Sequence, residues 1–341
     1  MSRKEEKMKE ALSYDDVLLV PQYSEIRSRS LIDLSSGDFK LPIISSPMDT
    51  VTEADMAIAM AKAGGLGVIH RYNSLQKQVE EVRKVKMHTD NVCAAIGISG
   101  DYQDRTFALY GAGCRMFCLD VAHGHHIMMK EAIQWIKAIH PDVEIMAGNV
   151  ATGQGYLDLT EWGADYVRCN VGGGSICSTR IQTGHGYPGL QTLFDCYEMK
   201  EQYGLESKII ADGGIRNSGD IVKALAAGAD FVMLGSLLAG TDEAPGETFV
   251  QDGVMKKVYR GMASKEAQQN WKGTYSSFEG VSSTILYRGS VVDVLGDLER
   301  GIRSGLSYSG ALNIEELRGL CVWAKQTGAG QIESSPHILK R

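Results

Sequence analysis

The chain has 341 residues, 43% hydrophobic and 23% charged, which suits one large domain or two smaller ones with a sizeable core. A formal net charge of -7 excludes the broad basic surface of a nucleic-acid or anionic-membrane binder, so any phosphate must be met inside a local pocket. No run approaches membrane-spanning length, Met1 to Lys7 lead into no apolar segment, and the 7 cysteines form no CxxC pair; the expectation is a cytoplasmic chain with reduced thiols, no zinc site and no disulfide framework.

Short apolar, β-branched runs recur roughly every 22 to 28 residues, each followed by a polar or glycine-rich junction and a helical pattern. In chain order they are Ile43 to Ser45, Leu66 to Ile69, Cys93 to Ile96, Phe117 to Leu119, Ile145 to Ala147, Tyr166 to Cys169, Ile209 to Ala211 and Phe231 to Leu234. Eight βα units predict an α/β fold of the (β/α)₈ TIM-barrel type, over 1–341 as a single catalytic domain with an inserted catalytic loop and flap. A doubly wound sheet is the rival, but no GxGxxG follows an early strand. The charged stretch Lys77 to Lys86 reads as a solvated helix face, and the 14 methionines as core filler.

In such a barrel the carboxyl ends of the strands line one mouth. Here those ends carry Ser46, Met48 and Asp49; His70; Asp120, His123 and His125; Asn149; Arg168; Asp212, Gly213 and Gly214; and Gly235 and Ser236. About 40 residues separate the sixth and seventh strands, long enough for an extended loop, and they contain Gly172-Gly173-Gly174-Ser175-Ile176-Cys177-Ser178-Thr179-Arg180. Glycines let backbone N–H groups converge on an anion, and an accessible cysteine among them has the electropositive surroundings a thiolate needs. A lone cysteine in a loop would otherwise read as a small buried hydrophobe. His123, His125 and His126 beside Asp120 suggest metal ligands, but their glycine-containing stretch reads more simply as a turn near a cofactor.

Six motifs in order carry a resemblance that covers nearly the whole chain: Tyr14-Asp15-Asp16-Val17-Leu18-Leu19, Ser46-Pro47-Met48-Asp49-Thr50, Ala147-Gly148-Asn149-Val150, Gly174-Ser175-Ile176-Cys177, Ala211-Asp212-Gly213-Gly214 and Tyr259-Arg260-Gly261-Met262. The sequence resembles the IMP dehydrogenase and GMP reductase superfamily. That resemblance implies a homotetrameric barrel binding a purine nucleotide, GMP or IMP, at its mouth. It implies that Ser175, Gly214, Gly235, Ser236 and Tyr259 hold the 5'-phosphate, with Ser46, Met48, Gly213, Gly261 and Gly280 also on the substrate. Asp212 would take the ribose hydroxyls, the backbone of Met262 and the side chain of Glu279 would face the base, and Cys177 would attack C2. Thr179 and Glu279 would relay a proton. Asp120, Ala122, His123, Asn149 and Arg168 would meet the nicotinamide cofactor, and Arg71 and Tyr72 stand where a further cofactor contact is possible. The carbonyls of Gly172, Gly174 and Cys177 would hold a monovalent cation, expected to be K+, together with a neighbour's Glu333, Ser334 and Ser335.

The superfamily runs two opposed reactions through a Cys-linked purine, and water separates them. The dehydrogenase carries an adjacent Arg and Tyr on a flap that activates the hydrolytic water. Between Met262 and Glu279 this chain offers Trp271, Lys272, Gly273, Thr274 and Tyr275 but no arginine, so the expectation is a GMP reductase using NADPH, with NAD-dependent IMP dehydrogenase as the alternative. Thr183 to Pro188 and Leu119 to Ala122 resemble the reductase; Gly328 to His337 and Thr50 to Glu53 resemble the dehydrogenase. No regulatory CBS insert is expected, because Lys86 to Asn91 leads straight into the next strand. A nucleotide-binding barrel without turnover and a flavin-type phosphate-binding barrel are the other readings.

Overall fold

The computed structural model describes residues 8–273, 279–334 and 336. A short strand β1 (Val17–Leu19) precedes eight parallel strands: β2 (Ile43–Ser45), β3 (Leu66–Ile69), β4 (Cys93–Ile96), β5 (Met116–Asp120), β6 (Glu144–Val150), β7 (Tyr166–Cys169), β8 (Lys208–Asp212) and β9 (Phe231–Leu234). They close into a barrel in sequence order, with β9 returning to β2 through Ile43 opposite Val232. The predicted TIM barrel is therefore present, and each of the eight predicted runs lies within one barrel strand. Parallel strands covered on both faces must be apolar throughout, which is why these runs were visible as sequence.

Helices α1 (Ala54–Lys62), α2 (Leu75–Lys86), α3 (Tyr102–Gly111), α4 (Ile127–Ile139) and α5 (Gly153–Glu161) cover the first half of the barrel. Side-chain caps start several of them: Ser74 accepts from Lys77 N, and Thr152 from Gly155 N. Helix α2 is not simply the solvated face its charges suggested, since Gln78, Glu81, Val82 and Val85 are buried and Glu81 accepts from Ala54 N at 2.8 Å. The long connection after β7 holds the cysteine loop, then α6 (Thr179–Thr183) and α7 (Gly189–Tyr203). Helix α8 (Ser218–Ala226) follows β8. After β9 the chain leaves the barrel as an antiparallel sheet of β10 (Phe249–Gln251), β11 (Val254–Arg260) and β12 (Ser282–Leu286), with α9 (Lys265–Lys272) between β11 and β12. Helices α10 (Val291–Ser309) and α11 (Ile314–Leu320), strand β13 (Trp323–Lys325) paired with β1, and α12 (Gly328–Glu333) complete the chain. Among the described residues no helix is long and apolar enough to cross a membrane.

Period-two alternation decides what fills the barrel. Ile44, Cys118, Met146, Tyr166, Ile210 and Met233 belong to a buried inner cluster, distinct from the larger one between strands and helices. One inward position further along the same strands stand Ser46, Asp120, Gly148, Arg168, Asp212 and Gly235. The apolar filling thus gives way to a polar layer at the carboxyl end. Gly148 makes room there, because a Cβ at this position would lie 2.5 Å from Arg168 Cβ.

Candidate active site

A cavity of about 470 Å³ opens over this polar layer, within the range of small-molecule sites. Its wall contains Cys177, Thr179 and Glu279, the cradle residues Ser175, Gly213, Gly214, Gly235, Ser236 and Tyr259, and Ser46, Met48, Gly261, Met262 and Gly280. Asp120, Ala122, Asn149, Arg168, Gly172 and Gly174 line it as well.

Cys177 is exposed, whereas Cys93, Cys114, Cys118, Cys169 and Cys196 are buried. Its Sγ donates to Thr179 Oγ1 at 3.1 Å, and that hydroxyl donates to Glu279 Oε2 at 2.7 Å. Two residues close in sequence and a carboxylate 100 positions away thus form one proton path ending on that carboxylate. Backbone pairing fixes it: Ser178 N donates to Glu279 O at 2.8 Å, Val281 N to Ile176 O at 3.0 Å, and Glu279 N to Ala263 O at 3.1 Å. Three strands of backbone converge because Gly261 and Gly280 face each other, a Cβ on Gly261 falling 3.3 Å from Gly280 Cα.

At the opposite end, Gly213 and Gly214 both adopt positive φ, +81° and +78°, and line the cavity together with Ser175 and Ser236; Gly213 N donates to Met233 O at 3.5 Å, whereas Gly214 has no such backbone bond among those of the described residues. A Cβ on Gly235 would stand 2.8 Å from Tyr259 Oη. Glycine is required there for the hydroxyl to approach. Burial pushes the Tyr259 hydroxyl above its ordinary pKa, so it remains a donor.

Arg168 organises the floor. Its Nη1 donates to Asp120 Oδ1 at 2.6 Å, while Nη2 and Nε donate to Asp212 Oδ2 at 2.8 and 3.1 Å. Desolvation opposes the guanidinium's charge, but Asp212, Cys118 and Asp120 outweigh it and hold Arg168 protonated. Asn149 Nδ2 adds a bond to Asp212 Oδ2 at 2.7 Å. With Oδ2 so occupied, Asp212 Oδ1 is left to accept from a ligand.

Several expectations need correction. His123 does not line the cavity; it is exposed, and desolvation followed by the charges of His125, His126 and His185 depresses its pKa. Strand-end counting placed it at the mouth, but the turn after β5 carries it outward beyond Ala122. Asp49 also stays out of the wall, bound to Arg260, and His70 is buried against Glu53. His125 pairs with Asp158 at 2.7 Å, and the His126 ring accepts from Met128 N at the start of α4. Thr274, Tyr275 and Ser335 lie outside the described residues; Glu333 ends α12 and Ser334 follows it.

Two features escaped the sequence reading. Asn170, at φ +136°, donates through Nδ2 to Asp212 O at 2.9 Å and ties the cysteine loop to β8. Arg71 lies over the rings of Tyr72 and Trp271, at 4.7 and 5.6 Å, closing the cavity's rim. An asparagine after a strand was the available sign of the first; Arg71 and Tyr72 were already candidates for a cofactor contact, but the meeting of Arg71 with Trp271, 200 positions away, had no sign.

The sequence model of the family described as "IMP dehydrogenase / GMP reductase domain" matches residues 11–337. The chain belongs to this family. Among similar proteins, the inosine-5'-monophosphate dehydrogenase of Nitrosopumilus maritimus is 34% identical over 470 residues, covering 96% of this chain and 98% of its own. That of Aquifex aeolicus is 35% identical over 475 residues, covering 98% and 96%, and that of Halalkalibacterium halodurans 33% identical over 469, covering 96% of each. These alignments are longer than the 341 residues present here, so those family members carry segments that this chain lacks.

The GMP reductase expectation, and with it NADPH, is overturned: the named relatives across the full chain are IMP dehydrogenases. A flap arginine is one way to activate water, so its absence between Met262 and Glu279 does not decide the reaction. The Thr179–Glu279 pair is a second group in the cavity able to receive a proton.

Proposed function

We propose that this family member is an oxidoreductase of the IMP dehydrogenase type, converting IMP, NAD and water to XMP, NADH and a proton. The observation that carries the reading is the continuous Cys177–Thr179–Glu279 path within one cavity, in a chain whose named relatives are IMP dehydrogenases. The Cys177 thiol passes its proton through Thr179 toward Glu279, and the thiolate adds to C2 of IMP. Asp120, Ala122, Asn149 and Arg168 would hold a nicotinamide dinucleotide, which would supply the acceptor for the hydride of C2. Once Glu279 has given the first proton to solvent, water attacks C2 of the thioimidate while Thr179, bonded to the Glu279 carboxylate, passes on its proton. Collapse breaks the C–S bond, releases XMP and expels the Cys177 thiolate, which recovers its proton from Glu279 through Thr179.

In this reading the phosphate sits on Ser175, Gly214, Gly235, Ser236 and Tyr259, with Gly213 beside it, and the ribose on Asp212. Ser46, Met48, Gly261, Met262 and Gly280 enclose the base. The carbonyls of Gly172, Gly174 and Cys177 suit a monovalent cation, since hard cations favour oxygen-only donors. Supporting this, Asn170 Oδ1 is buried without a hydrogen-bond partner, and a Cβ on Gly173 would lie 2.7 Å from it, so the loop holds spare oxygen. The chain is read as a single catalytic barrel without a CBS insert, a reading supported by the short link from the end of α2 at Lys86 to the start of β4 at Cys93. A homotetramer fits the exposed apolar side chains of Val250, Met255, Val258 and Leu286 on the β10–β12 sheet.

The test is absorbance at the reduced-nicotinamide band with IMP, NAD and K+, against GMP with NADPH. A rise in the first mixture alone supports the proposal; a fall in the second alone, with ammonia released, removes it. Glu279→Gln is expected to lower kcat by about 10²-fold or more with KM for IMP little changed, the range for a lost general base. Unchanged kcat would eliminate the relay.

A further inference from the structure

The phosphate end of the cavity is built from backbone N–H groups and hydroxyls, with no cationic side chain. Among the described wall residues the cations are Arg71 and Arg168, and both are held by Asp120. A nucleotide phosphate brings close to two negative charges, and neutral donors alone leave that charge uncompensated in a half-buried site.

Behind the cradle lies an unusual lysine. Lys257 is 2% exposed and stands on the same face of β11 as Tyr259, both being buried while Val258 between them is exposed. Same-face neighbours on a strand are about 7 Å apart. The Lys257 Nζ donates to Thr241 O at 2.9 Å and Ala244 O at 2.5 Å, and no carboxylate lies within 4.0 Å of it among the described residues. The acids of that loop turn elsewhere: Asp242 accepts from Tyr287 Oη at 2.7 Å, and Glu243 from Val291 N at 2.8 Å. The same loop continues the turn that begins at Gly235, through Leu238 N to Gly235 O and Thr241 N to Leu238 O. A buried cation without a counterion is costly unless an anion arrives to use it.

We propose that Lys257 is a specificity-determining residue, a buried positive charge that favours a phosphorylated nucleoside over the free nucleoside at the cradle of Gly235, Ser236 and Tyr259. Its ammonium acts through the field behind the cradle and through the Thr241–Ala244 loop, without touching the phosphate. Burial also depresses its pKa, against the pull of Asp242 and Glu243, as expected of an ammonium held by carbonyls alone.

The inference rests on the nucleotide reading of this cavity, and its test separates the two. Alkylation of Cys177 by iodoacetamide is followed in wild type, Lys257→Met and Lys257→Arg, with IMP or inosine as protectant. Wild type is expected to be protected by IMP at far lower concentration than by inosine. Lys257→Met should shrink that preference by about 10-fold or more while inosine protection stays constant, and Lys257→Arg should keep most of it. A merely structural lysine would weaken both protectants together, which overturns the proposal, as does an unchanged preference. Should Lys257→Met fail to fold, Lys257→Gln is read by the same ratio. Failure of IMP to protect wild type would instead bring down the nucleotide reading itself.

Discussion

Cys177→Ala is expected to abolish turnover, lowering kcat by roughly 10⁴-fold or more, because removing a covalent nucleophile removes the reaction path rather than one stabilising contact. IMP affinity should stay within about 3-fold, since no cradle group depends on Sγ and the exposed thiol adds only a weak bond to Thr179. Equilibrium dialysis with IMP and initial rates on the same preparation give the two numbers. The combination is diagnostic. Loss of binding together with rate would mean the substitution collapses the Gly172 to Thr179 loop, and retained rate would mean that hydride leaves C2 without a covalent intermediate. The other six cysteines are no substitute: Cys93, Cys114 and Cys118 are buried in or against the barrel, and burial pushes the latter two thiols up to about 12. A thiol with so high a pKa supplies no thiolate near neutral pH.

The barrel was legible because its strands are buried on both faces and must be continuous apolar runs; Tyr166 to Cys169 shows this, reading as a strand even with Arg168 inside it. The same Arg168 shows the limit. Its place at the carboxyl end of a strand put it at the mouth, but its two carboxylate partners come from β5 and β8, and no local pattern encodes that meeting. The sheet β10–β12 was missed for a related reason. Lys256 and Lys257 interrupt its middle strand, and its outer strand is exposed throughout, so the apolar signal that marks barrel strands is weak there. The cysteine loop was legible as chemistry, whereas the relay depends on Glu279 crossing 100 positions to reach Thr179. The reductase expectation failed at that junction, because the absence of an arginine between Met262 and Glu279 says nothing about which other groups stand ready to take a proton from water.

Arg168→Met is expected to destabilise the fold by about 3–5 kcal/mol, the usual cost of leaving buried charge unpaired. Arg168 is 6% exposed, and its loss would strand Asp120 and Asp212 facing each other over an apolar layer. For a chain of this size that corresponds to a fall of about 4–7 °C in Tm, measurable by calorimetry. Arg168→Lys should recover part of the stability but little activity, because one ammonium cannot present the planar fork that reaches both carboxylates at once. Adding Asp120→Asn to Arg168→Met removes one of the stranded charges and should raise Tm again, a coupling that independent sites would not show. A Tm within about 1 °C of wild type for Arg168→Met would refute the ionic floor as a structural element. Its functional weight follows from the same geometry: Arg168 occupies Asp212 Oδ2, leaves Oδ1 for the substrate, and fixes Asp120 on the side assigned to the dinucleotide. One buried guanidinium therefore joins both halves of the site, and its replacement should raise KM for both substrates, not for one.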